Sequence, residues 1–273
     1  MKKLLSMLFI LLLLFALPSC AQSDPDLLPK LTVTFLNVGA ADCIVLQTDG
    51  YAAMIDTGNH SDAEDILDFL SAQEIQSLDF LLLTHLDKDH IGGADILMER
   101  IPIGTVYAPD YDKSNKQYEQ YIAALETLNI QPIHPTAPVQ LTLGAGTLTL
   151  LPGEKAEYDQ SNDYSIMAEL IYGSTSFLFA GDAEAERLTE YLVDTPLTAV
   201  DVLKVPHHGR KNSMSNEFFT AVCPKNAIIT CDEKEMPDNS VIEMLSSLGA
   251  EVYGTVYGAI TVASDGTSIT VRQ

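Results

Sequence analysis

The chain has 273 residues, of which 47% are hydrophobic and 19% charged. That composition excludes a disordered chain and is enough for one large core or two modest ones. With 15 basic against 38 acidic residues the net charge is −23, which excludes a protein that grips duplex nucleic acid through a broad basic face.

The N-terminus reads as a targeting segment, not as fold. Lys2 and Lys3 precede an apolar run from Leu4 to Leu17, too short for a stable membrane span. The run ends in Leu17-Pro18-Ser19-Cys20, which resembles a bacterial lipobox, so Cys20 is the expected lipidated first residue of the mature chain. Residues 1–19 are then a lipoprotein signal peptide, residues 20–30 a polar, Pro-containing tether, and residues 31–273 one domain. Removing two lysines leaves 13 basic against 38 acidic residues, a net −25. Such a chain is held at a membrane by lipid and not by a basic patch. The expected location is extracytoplasmic.

Strands come quickly from Leu31 onward. LTVTFLNVG, DCIVLQT and YAAMIDTG are apolar or β-branched, and TDGY at residues 48–51 is a hairpin turn. SDAEDILDFLSAQEI follows with Ser61 as the expected N-cap and Ile66, Leu67 and Leu70 at helical spacing. SLDFLLLTH is a continuous apolar run, typical of a strand covered on both faces. GGADILMERI reads as a helix and GTVYAPD as a strand. Residues Tyr118, Tyr121, Ile122, Leu125 and Leu128 mark another helix.

The second half repeats the pattern. VQLTLG, GTLTLLPG, SIMAELIYG and TSFLFAGD read as strands, AEAERLTEYLV as a helix and ADVLKVPHHG as a strand. Helix MSNEFFTAV, strand NAIITC, helix NSVIEMLSSLG and strands EVYGT, AITVA and SITVR complete the chain. Two packed sheets with helices outside fit this order, recurring in two halves. Of the later cysteines, Cys223 and Cys231 flank a strand about 26 Å long, at roughly 3.3 Å per residue, beyond disulfide reach. The expectation is free, buried thiols.

Polar residues collect at the ends of these strands: Asp56; His85, Asp87, Asp89 and His90; Asn162 and Asp163; Asp182; and His207 and His208. Rigid strands can bring such loops to one place. The four potential metal ligands between His85 and His90 are the densest of these sets. An Asp closing a strand is, alone, a turn or cap residue, and a His-rich loop alone is a polar loop.

In this order the residues resemble the metallo-β-lactamase superfamily, whose signature is His-x-His-x-Asp-His followed by a His, an Asp and a final His. They resemble more closely the hydrolase domain of ComEC/Rec2-type competence proteins, where Asp replaces the second His, as in Thr84-His85-Leu86-Asp87-Lys88-Asp89-His90. VTFLNVGAADCIVLQTDG, HLDKDHIGGA, NDYSIMAELIYGSTSFLFAGDAEAE and DVLKVPHHGRKNS carry that resemblance across residues 31–272.

The resemblance implies an α/β (α+β) fold, a four-layer αββα sandwich, with one or two divalent metal ions at the edge between the sheets. Asp89, His90, Asp182 and His208 would form one site, and His85, Asp87 and a bridging Asp182 the other. Two metals about 3.5–4 Å apart clamp the attacking and leaving oxygens and activate water. Three Asp and three His suit Zn²⁺ or Mn²⁺ and tolerate Mg²⁺. Asp89, Asp182 and His207 are the expected catalytic residues. Asp42, Asp56, Asn162, Asp163, Arg210 and Ser213 are expected behind the ligands or against substrate.

Several positions depart from the family pattern. Asn162-Asp163 stands where the wider superfamily has its third-motif His. The VGQGD of the competence branch is VGAAD, its HHGS is HHGR, and its late His-Pro is Met236-Pro237. The implied substrate is a phosphodiester, with short or single-stranded nucleic acid fitting an acidic surface better than duplex. The alternatives are an ester, lactone or β-lactam hydrolase, against which Asp87 tells, and a non-catalytic surface lipoprotein. No protein partner is legible.

Overall fold

The computed structural model describes residues 30–194 and 199–273. The expected signal peptide, Cys20 and all of the expected tether but Lys30 lie outside the described residues. Among the described residues fourteen strands and seven α-helices follow in order. The first half holds β1 (Leu31–Phe35), β2 (Ile44–Thr48), β3 (Tyr51–Ile55), α1 (Ala63–Ala72), β4 (Leu78–Leu82), α2 (Lys88–Ile91), α3 (Ala94–Arg100), β5 (Ile103–Tyr107) and α4 (Lys116–Leu128). Then come β6 (Val139–Leu143), β7 (Gly146–Leu151), β8 (Met167–Tyr172), β9 (Thr175–Phe179), α5 (Ala185–Asp194) and β10 (Val202–Lys204). The chain ends with α6 (Ser215–Val222), β11 (Asn226–Ile229), α7 (Asn239–Ser247), β12 (Glu251–Gly254), β13 (Ile260–Ser264) and β14 (Ile269–Arg272).

The strands form two seven-stranded sheets, ordered β14-β13-β1-β2-β3-β4-β5 and β12-β11-β10-β9-β8-β7-β6. Each is antiparallel through its hairpins and parallel at one end: β3-β4-β5 in the first and β9-β10-β11-β12 in the second. Parallel neighbours need a crossover, and helices supply each one. The mixed αββα sandwich is therefore the fold. Three buried clusters separate its four layers. Phe35, Leu46, Phe80, Leu148, Phe177 and Phe179 fill the space between the sheets. Ile66, Leu70, Leu81, Leu97 and Tyr121 pack α1, α3 and α4 on the first sheet. Leu178, Leu188, Leu203, Phe218 and Leu245 pack α5, α6 and α7 on the second. Strand β4 shows why its sequence lacks alternation: Phe80 and Leu82 face the inner core while Leu81 faces the helices.

The C-terminal hairpin returns to the first sheet and pairs β13 with β1 from Leu31↔Ser264 to Phe35↔Ile260. Two expectations are corrected. Ser61 does not cap α1. It lies inside a 3-10 turn, His60–Asp62, where Asp62 Oδ2 accepts from the Asn59 amide at 2.8 Å. All three later cysteines are free, as expected, but Cys223 is exposed.

Candidate metal centre

The polar residues lie at the carboxyl ends of the parallel strands β3, β4, β9 and β10, where open α/β sheets present their crevice. Around β3 and β4 the loops are fastened to each other by backbone bonds. Asp56 N donates to Leu82 O at 2.8 Å, Thr57 N to His90 O at 2.7 Å, and Asp42 N to Asp89 O at 3.1 Å. Gly92 and Gly93 allow this approach. A Cβ on Gly92 would come within 2.4 Å of Lys88 O, and one on Gly93 within 2.6 Å of Thr57 O. On the other sheet Gly181, at φ +54, turns the chain after β9, and a Cβ there would meet Ser165 and Thr84 at 3.0 Å. Asp182 N then donates to Ser165 Oγ at 3.1 Å. His207 and His208 follow β10 with φ of +46 and +51, left-handed backbone that costs a non-glycine residue about 1–3 kcal/mol.

These loops bring Asp89, His90, Asp182 and His208 together, with one ligand atom of each within 4.8 Å of all the others. Asp182 Oδ2 lies 3.3 Å from His90 Nε2 and 3.2 Å from His208 Nε2, and Asp89 Oδ2 lies 3.5 Å from His208 Nε2. Both Nε2 atoms are buried without a hydrogen bond. Both face the same Asp182 oxygen. The far side of each ring is held. His90 Nδ1 meets Asp56 Oδ2 at 2.8 Å, while Thr84 donates its amide and hydroxyl to the same carboxylate at 2.7 Å each. His208 Nδ1 donates to Thr230 O at 3.0 Å, and Thr230 Oγ1 donates to Asp42 Oδ1 at 2.6 Å. Protonation at Nδ1 leaves the Nε2 lone pairs free, the arrangement metal-binding histidines adopt.

The other sequence candidates are placed differently. His85 is fully buried beside His90, ring centroids 4.0 Å apart, and its Nε2 has no partner. Asp87 does not join the set; it pairs with Lys113 Nζ and accepts from Ser161 Oγ at 3.1 Å. His207 stands at the rim, Nδ1 3.2 Å from Glu184 Oε1, with Asn162 Nδ2 bridging both residues. Asp163 faces away from the centre: its Oδ1 accepts the Glu184 and Arg187 amides at 2.9 and 3.1 Å and caps α5. Arg210 is exposed and paired with Glu235 at 2.6 Å, and Ser213 is exposed beside α5. Asp42 and Asp56 stand behind the histidines. They also cluster with His90, but their oxygens already serve Thr84, Thr230, His90 and Lys204, so this is support for the first set.

Lys204, with Arg210 and Lys211 the one basic cluster near a motif, stands outside the expected site residues. Its ammonium is fully buried, 2.5 Å from Asp42 Oδ2, 3.4 Å from Asp182 Oδ1 and 3.0 Å from Gly181 O. A lone lysine in the buried strand Val202-Leu203-Lys204 was the available signal, since lysine is almost never buried unpaired.

A family description of the metallo-β-lactamase superfamily matches residues 36–231, more than half of the chain. The chain belongs to the metallo-β-lactamase superfamily. Within it, the chain is 30% identical over 200 residues to ComE operon protein 3 of Bacillus subtilis, covering 70% of this chain and 25% of that protein. It is 29% identical over 243 residues to Recombination protein 2 of Haemophilus influenzae, covering 86% of this chain and 29% of that one. These are competence proteins of the ComEC/Rec2 type, and the chain spans less than a third of their length. The solved metallo-β-lactamase fold protein YhfI of Bacillus subtilis shares the fold, with a TM-score of 0.55 at 14% identity over 89% of this chain and all of that one.

The donor set of this metallo-β-lactamase domain fits a divalent metal. Carboxylates outnumber cations here: Asp42, Asp56, Asp89 and Asp182 gather around the histidines, and the Lys204 ammonium pairs with two of them, Asp42 and Asp182. That field acts on the imidazoles. Burial pushes the His90 pKa down, but Asp182 and Asp56 outweigh it and hold it well above the ordinary value. Burial likewise opposes protonation of His208, yet Asp182 and Asp89 raise it to about 9. Burial and the neighbouring His90 bring His85 down to about 3, so it stays a neutral imidazole. Burial works against ionising Asp182, and His208, His90 and Lys204 overcome it and keep it well below the usual carboxylate range. A divalent cation and the imidazole protons thus compete for one negative pocket, and metal uptake near neutral pH releases protons.

Asp56→Asn isolates the support. Asn tolerates the φ of +59 at this position, but it loses the charge that holds His90 Nδ1–H. We expect metal affinity about 10–100-fold weaker with an unchanged fold, read by metal titration and circular dichroism. Unaltered affinity would remove Asp56 from the site.

Proposed function

We propose that the chain is a metal-dependent phosphodiesterase, held outside the cytoplasm by lipid on Cys20. The observation that carries the hydrolytic reading is the convergence of two unpartnered histidine Nε2 atoms with Asp89 and Asp182. The phosphodiester reading draws support from the similarity to competence proteins, one of them named Recombination protein 2. The net charge of −23 favours short or single-stranded substrates over duplex.

Asp89, His90, Asp182 and His208 are the proposed ligands of a divalent ion, Zn²⁺ or Mn²⁺ with Mg²⁺ tolerated. When bound, such an ion supplies Lewis-acid polarisation of a phosphoryl oxygen and a nucleophile at neutral pH. Asp56 and Thr230 hold the imidazoles in the tautomer that binds. Lys204 keeps Asp182 ionised and oriented. Among the four, the Asp89 side chain is the one with substantial exposure, at 26%, which puts it on the substrate side. To His207, half-buried beside Glu184, this reading gives the transfer of a proton to the departing alkoxide.

The test is the full chain in detergent, assayed for bound metal and for Mn²⁺-dependent cleavage of bis(p-nitrophenyl) phosphate, short oligonucleotides and nitrocefin. Metal-dependent cleavage of the phosphodiesters alone is expected. Lactam cleavage without phosphodiester cleavage would move the activity to the other branch. Bound metal with no turnover would leave a binding lipoprotein. The anchor is tested separately: labelled palmitate should enter the chain and disappear in Cys20→Ser, and labelling that persists would refute lipidation there.

A further inference from the structure

The resemblance to the superfamily implies two cation positions, and the structure equips them unequally. One is the four-donor set of Asp89, His90, Asp182 and His208. For the other the implied donors are His85, Asp87 and a shared Asp182. Asp87 is already engaged at both oxygens, Oδ1 by the Lys113 ammonium and Oδ2 by the Ser161 hydroxyl at 3.1 Å. The residues at the third motif do not compensate. Asn162 is committed to Glu184 and His207, and Asp163 caps α5. That leaves His85 Nε2 and a shared oxygen of Asp182. Two donors fall short of the three or four protein ligands that hold a divalent transition metal.

Lys113 is not a stray surface base. It lies between β5 and α4 on a loop clamped against the centre. Tyr111, two residues earlier, accepts the Leu86 amide on its hydroxyl at 2.7 Å, next to the His85–His90 stretch. The Tyr111 ring stacks on Tyr164 at 4.0 Å between centroids, which ties the loop to the turn that carries Ser161. The Lys113 and Asp87 side chains are 21% and 27% exposed, so the pair is sheltered enough to keep its charge local. An ammonium at Asp87 both neutralises a ligand and repels an incoming cation.

We propose that the chain holds a single divalent ion, in the Asp89–His90–Asp182–His208 set, and that the Lys113 ammonium takes the place of a second cation beside Asp87. This rests on the metal-dependent reading above and departs from a two-metal centre. His85 then serves the single ion's surroundings as a neutral imidazole.

The experiment is Mn²⁺ titration of the full chain in detergent, with metal counted per chain and electron paramagnetic resonance used to separate isolated from exchange-coupled ions. The native chain should saturate at one ion with an uncoupled spectrum. Lys113→Ala frees Asp87 and should admit a second, weaker ion with a coupled spectrum, whereas Lys113→Arg should stay at one. Two coupled ions in the native chain would overturn the assignment while leaving the metal-dependent reading intact. One ion in both native chain and Lys113→Ala would overturn the part given to Lys113. No ion in either would overturn the metal-dependent reading, and this inference with it.

Discussion

Asp182→Ala should reduce metal-dependent turnover by at least about 10²-fold, the loss that follows removal of one electrostatic partner from an active site, and should leave metal substoichiometric. Asp182 is the centre of the set. Its Oδ2 lies 3.3 and 3.2 Å from the Nε2 atoms of His90 and His208, and its Oδ1 3.4 Å from Lys204. Alanine removes the donor that both histidines face. The fold should survive, because Lys204 keeps Asp42 at 2.5 Å as a counter-charge. Bound metal and turnover measured beside circular dichroism check this. A folded variant that keeps full metal and full turnover would exclude Asp182 from the chemistry.

Lys204→Met should be the most damaging substitution for stability, by about 3–5 kcal/mol, the cost of leaving a buried charge without its partner. The ammonium is fully buried against Asp42 and Asp182, and methionine fills its volume but not its charge. At roughly 2–4 °C per kcal/mol for a chain of this size, the melting temperature should fall by roughly 10 °C. The pH dependence has a definite sign. Burial alone would raise the Asp42 pKa, but Lys204, His90 and His208 reverse this and hold it below the ordinary value. A depressed carboxylate contributes stability above its unfolded pKa and loses it as pH falls through the folded one. Without Lys204 burial prevails and the Asp42 pKa rises. The deficit should then be greatest at neutral pH and shrink on acidification. A deficit that stays constant as pH falls through the ordinary carboxylate range, about 4, would mean that Lys204 acts through packing and not through charge.

The residues that stand away from the four-donor set share a cause. Asp163 and Asp56 both look like an acid beside a strand, yet Asp163 caps α5 while Asp56 holds His90. Asp87 sits in the densest part of the motif, yet its partner is Lys113, 26 residues away. Arg210 adjoins the histidine pair in sequence and points to Glu235. A motif gives the residue type at a loop position. It does not give the direction of the side chain, which depends on what packs beside that loop.

The sequence by itself determined the elements, because apolar periodicity and strand-end polarity are local properties, read within a few residues. It also determined the chemistry on offer, since Asp and His predominate at the strand ends. The tertiary structure decided which of these residues meet. The C-terminal hairpin closes the first sheet by pairing with β1, a contact between chain ends with no local signal. The Thr230–Asp42 bond that stands behind His208 joins residues 188 apart. Lys204 becomes a counter-ion only because two carboxylates from different sheets close over it. Long-range contacts of this kind are fixed by layer packing and burial, and neither is contained in the spacing of a motif.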